Sequence, residues 1–92
     1  MSLQDHVRSL NTRAKLLYDM GDIRGALGFL QRESMRTGPA RGFIIKALVE
    51  LTKRAAADGH RDIAVGTLET LRDDPRNVEL RTHLQADLDS LG

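Results

Sequence analysis

Met20-Gly21-Asp22-Ile23-Arg24-Gly25-Ala26-Leu27-Gly28-Phe29-Leu30-Gln31 returns, altered, as Asp58-Gly59-His60-Arg61-Asp62-Ile63-Ala64-Val65-Gly66-Thr67-Leu68-Glu69. Gly21 aligns with Gly59, Ala26 with Ala64, Gly28 with Gly66 and Leu30 with Leu68, at a constant offset of 38 residues. The match has a physical reading. A glycine accepts the left-handed backbone that lets a chain reverse between antiparallel helices. A small residue five positions later allows the second helix close to the first, and a leucine four further on fills the groove beyond. A pattern repeated at such a period is the signature of stacked helical hairpins.

Working outward, apolar spacing predicts five helices. The first runs from about Leu3 to Met20 on the stripe Val7, Leu10, Ala14, Leu17, with Ser2 as its start signal. Gly21 ends it and Asp22 caps the second, which buries Ile23, Ala26, Leu27 and Leu30 and stops at Thr37-Gly38-Pro39. Pro39 suits the first turn of the third helix, the most apolar stretch, with Ile44, Ala47, Leu48, Leu51 and Ala55 inward and Phe43, Ile45 and Val49 widening the apolar surface. Asp58-Gly59 ends it. A fourth helix carries Ala64, Leu68 and Leu71. Asp74-Pro75 opens a fifth, lined by Leu80, Leu84, Leu88 and Leu91 and polar elsewhere, which reads as a terminal cap.

With these residues in place, the pattern resembles the tetratricopeptide repeat: Gly21, Ala26, Leu30 and Pro39 supply one set and Gly59, Ala64, Leu68 and Pro75 the other. It departs from the family in several places. Leu10 and Leu48 stand where an aromatic is expected early in the first helix, and Ala14 and Thr52 where glycine is. Glu33 and Leu71 occupy the late small position of the second helix, and 38 exceeds the roughly 34 residues of the family. The expected fold is all-α: a single domain over 1–92, with degenerate TPR-like repeats at about 3–37 and 39–73 and a capping helix at about 75–91. An ordinary helical bundle with two similar hairpins is the competing reading.

The composition narrows function mainly by exclusion. The 92 residues carry 14 Lys+Arg and 13 Asp+Glu, a net charge of +1, which gives no strong pull toward nucleic acid or anionic membranes. The absence of cysteine excludes disulfides, thiolate nucleophiles and cysteine-ligated zinc. His6, His60 and His83 are dispersed and form no His-Glu-x-x-His pattern, and the glycines near Gly25 lack the Gly-Lys-Ser/Thr of a phosphate loop, so Gly25 and Gly28 read as close-approach positions on the second helix. No catalytic residue, cofactor or metal is expected, and neither a membrane span nor a signal core is read, so the expected setting is cytoplasmic.

The resemblance implies a non-enzymatic interaction module, an adaptor, scaffold or small chaperone, whose first helices line a groove for a partner peptide or helix. Carried over by position, the groove residues are Arg8, Asn11, Lys15 and Tyr18 on helix one, and Lys46, Val49, Glu50 and Lys53 on helix three, with Glu79, Thr82 and His83 on helix five. Lys15, Lys46 and Lys53 would meet acidic groups, and Tyr18 and Val49 apolar ones. Self-association into a homodimer, through Leu3, Phe29, Met35 and the third helix, is the alternative. A helix-turn-helix reading of residues 61–85, with Arg76, Asn77, Arg81 and Gln85 facing bases, is disfavoured by Asp73, Asp74, Glu79 and Asp87.

Overall fold

The computed structural model describes residues 2–36 and 38–91, and over these the protein is all-helical. Helices α1 (Leu3–Asp19), α2 (Ile23–Ser34), α3 (Arg41–Ala57) and α4 (Arg61–Asp73) are followed by a 3-10 helix (Pro75–Leu80) and α5 (Arg81–Leu91). No strand occurs among the described residues. The chain gathers into two compact units, Met1–Leu51 and Thr52–Gly92, with α3 contributing its first part to one and its last turns to the other.

Unit 1 is built on the α1–α2 hairpin. Ser2 opens α1, its hydroxyl accepting the Asp5 N–H at 3.1 Å. The exit from α1 is a Schellman closure: Gly21 N–H donates to the Tyr18 carbonyl (2.9 Å) and Asp22 N–H to the Leu17 carbonyl (3.0 Å), with Gly21 at φ +91°. Asp22 then opens α2 by accepting the Gly25 N–H at 2.9 Å, so one residue closes one helix and starts the next. Ala14 and Ala26 are both fully buried on these two packed helices, which allows a close approach. Leu27 and Leu30, each 1% exposed, fill the core with Tyr18, Ile44, Ile45 and Leu48. Each such leucine contributes about 1.5–3 kcal/mol of burial.

In unit 2 the end of α3 repeats the closure. Gly59 N–H donates to the Ala56 carbonyl (3.1 Å) and His60 N–H to the Ala55 carbonyl (2.8 Å), with Gly59 at φ +97°. All four bonding atoms fall 38 residues after their counterparts, and the first residues of α3 and α4 fall 38 after those of α1 and α2. Ala64 and Leu68 are fully buried on α4, as Ala26 and Leu30 are on α2. Helix α4 packs on α5 and on the 3-10 helix.

Three expectations differ from this arrangement. Pro39 does not sit in the first turn of α3. It lies inside a reverse turn in which Arg41 N–H donates to the Gly38 carbonyl (3.2 Å), a position whose φ proline pre-sets. The fifth α-helix starts at Arg81, not at Pro75. Asp74 caps and Pro75 enters as expected, but Asn77 (φ −104°, ψ 21°) leaves the helical conformation and kinks the segment between two short 3-10 turns. The cause is tertiary: the Asn77 side chain, 1% exposed, donates to the Leu71 carbonyl at 2.9 Å and ties the turn to the end of α4. Finally, Gly28 is not a site of tight helix approach, since a methyl group there would meet only the Arg32 guanidinium at 3.4 Å, and one at Gly66 nothing within 4 Å. Gly25 is crowded only by the Asp22 carboxylate that caps its own helix.

Candidate functional site

Helix α1 turns a polar stripe to the outside, because Gln4, Arg8, Asn11 and Lys15 recur at spacings of four, three and four while Ala14 and Tyr18 point inward. Where this stripe meets the beginning of α3, Gln4, Val7, Arg8, Asn11 and Phe43 line an open groove of about 430 Å³. Phe43 stands beside it with 52% of its surface exposed. A second shallow depression, sharing Arg8, runs along α1 past Ser9, Thr12 and Leu16.

The structure therefore brings together two of the residues read from sequence, Arg8 and Asn11, and adds Phe43, Val7 and Gln4. Phe43 was read as part of the apolar surface of helix three. Its position just ahead of the Ile44–Leu48 stripe is the signal that sets it outside the core. Lys15 is exposed on the same face of α1, and Lys46 and Glu50 are exposed on α3 with Val49 half-buried. Two expected groove residues are placed otherwise. Tyr18 is 5% exposed, one turn beyond Ala14 on the buried stripe, so its ring fills the core of unit 1 and is not offered to a partner. Lys53 lies in unit 2, where its ammonium pairs with Asp87 at 2.9 Å.

Unit 2 has its own depression, larger and lined by polar groups including Arg72, Asp73, Arg81, Gln85 and Asp89. These groups answer one another. Arg72 holds Asp73 (2.9 Å) and Gln85 (3.1 Å), Gln85 reaches Asp89 (2.9 Å), and Arg81 donates to the Arg72 carbonyl (3.2 Å). The hydrogen bond to Asp73 raises the Arg72 pKa and lowers that of Asp73, so the pair is intact at neutral pH and breaks only as pH falls below the ordinary carboxylate value. Arg76 is held in the same way by Asp74 at 2.6 Å, which raises its pKa. Of the side chains that a helix-turn-helix reading turns toward DNA bases, Asn77 is buried and Arg76, Arg81 and Gln85 are bonded within unit 2.

Among the described residues no group of three or more His, Asp or Glu side chains is placed to hold a metal ion. None of the described helices is long and apolar enough to cross a membrane. The class defined at this level is an all-α protein whose helices pack on their neighbours in sequence. No family model, curated protein or solved structure matches the chain.

Proposed function

We propose that the chain is a non-enzymatic protein-binding module of TPR-like design, which seats a partner's peptide or helix in the groove formed by α1 and the start of α3. The supporting observation is Phe43. A phenylalanine more than half exposed beside a groove lined by Val7 and by amide and guanidinium groups has the make-up of an interface anchor: a large apolar group ringed by polar ones. In this reading Arg8 and Asn11 orient the partner's backbone or polar side chains and Phe43 supplies apolar contact. Cytoplasmic adaptors and small chaperones are the roles such a surface serves.

The test is a selection of random displayed peptides on the immobilised chain, followed by affinity measurement on Phe43→Asp. Selected peptides should lose at least roughly tenfold in affinity, as an anchor residue does. Because Phe43 is exposed, the urea midpoint should stay within about 0.5 kcal/mol of the parent. Peptides that bind both proteins equally would remove the groove from the account.

Self-association is a second reading, favoured by Leu16 in the last turn of α1 and Met20 just after the helix, which are 59% and 81% exposed. Met35, expected on a dimer surface, is 55% exposed, whereas Leu3 and Phe29 are half-buried and Phe29 carries the Arg13 guanidinium 5.8 Å from its ring centre. Sedimentation of the purified chain separates the two readings: a concentration-independent monomer argues against self-association.

A further inference from the structure

We infer that the groove of unit 1 selects an acidic segment bearing one large apolar residue, through cations that unit 1 leaves without internal partners; the inference rests on the protein-binding reading above. The near-neutral total conceals a division. Unit 1 has eight Lys+Arg against five Asp+Glu, a net of +3, and unit 2 has six against eight, a net of −2. In unit 2, Lys53, Arg54, Arg72 and Arg76 each reach a carboxylate of their own unit, and in unit 1 Arg36 reaches Glu33. Arg8, which lines the groove, and Lys15 and Lys46, each one helical turn beyond a lining residue, make no ion pair among the described residues.

Arg8 and Lys15 stand two turns apart on one face of α1 with Asn11 between them, and Lys46 lies one turn beyond Phe43 on α3. Asp5 and Glu50, the carboxylates near Arg8 and Lys46 in sequence, are exposed and form no bridge to them, and lysine preceding glutamate is the weaker order for a helical pair. A partner that placed carboxylates here would gain pairing that the chain itself does not supply, a basic one would be repelled, and a neutral one would gain only the apolar contact. One anchor suffices because only Val7 and Phe43 among the lining side chains are apolar.

The full chain, immobilised, would be used to select from a random peptide display library, and the recovered sequences read without prior bias. Recovered peptides should be rich in Asp and Glu around a single Leu, Met or Phe. A synthetic copy should bind more weakly as salt rises, and its affinity should fall about three- to tenfold on Arg8→Glu or Lys46→Glu, while Arg61→Glu on unit 2 changes it less than about twofold. Neutral or basic peptides that still require Phe43 would overturn the charge selection and leave the protein-binding reading standing. Recovery of no binder, or of binders indifferent to Phe43→Asp, would overturn both. Sedimentation showing that the chain associates with itself through Arg8 would assign the groove to a second copy and overturn an external partner.

Discussion

Gly21 and Gly59 close their helices with φ near +90°, a conformation that an L side chain adopts at a cost of about 1–2 kcal/mol. The residues that follow them are not equivalent. Asp22 accepts the Gly25 N–H, while His60, in the same place before α4, makes no side-chain cap. The backbones at the two positions are close (φ −90°, ψ 73° and φ −93°, ψ 49°), so a carboxylate at 60 can reach the Ile63 N–H as Asp22 reaches that of Gly25. His60→Asp should therefore stabilise the protein by about 0.5–1 kcal/mol, from the cap together with a favourable charge at the helix N-terminus. Urea unfolding at neutral pH reads this directly, and an unchanged or lower midpoint would show that the site does not accept the cap.

At the scale of elements, the segment 75–80 shows how a buried hydrogen bond overrides a sequence signal. Asp74-Pro75 opens a helical turn as its chemistry demands, but the segment kinks at Asn77, whose side chain is drawn in to the Leu71 carbonyl, and α5 starts only at Arg81. Asn77→Ala removes a buried donor and leaves that carbonyl without it, which should cost about 1–3 kcal/mol. Differential scanning calorimetry of the variant checks this, and a melting temperature equal to the parent's would deny Asn77 its clamping role.

For the whole molecule, stability rests on aliphatic packing within two small units. Leu30 and Leu68, 38 residues apart, are buried to within 1% of full enclosure. Leu68→Ala should cost about 2–5 kcal/mol, a large share of the roughly 5–15 kcal/mol that holds a typical domain together. Thermal unfolding followed by circular dichroism should show a clearly lower midpoint, and a shift of only a degree or two would mean that unit 2 repacks around the gap.

Helix number, the limits of α1, α2 and α4 to within a residue or two, and the two glycine reversals were legible in the sequence because they depend on local terms: apolar spacing, left-handed glycine and capping side chains act within a few residues. The stripes through Ala14, Ala26, Leu30, Ala64 and Leu68 emerged as the core for the same reason. The tertiary structure alone decided the fates of Phe43, Tyr18, Lys53 and Asn77. Phe43 is left half in water and Tyr18 is taken into the core; Lys53 is claimed by Asp87 and Asn77 by the Leu71 carbonyl. The outcomes at Phe43, Tyr18 and Lys53 depend on a group distant in sequence or on how far a neighbouring helix covers a face, and that of Asn77 on the turn after α4 folding back on the helix end; none is set by apolar spacing along the chain.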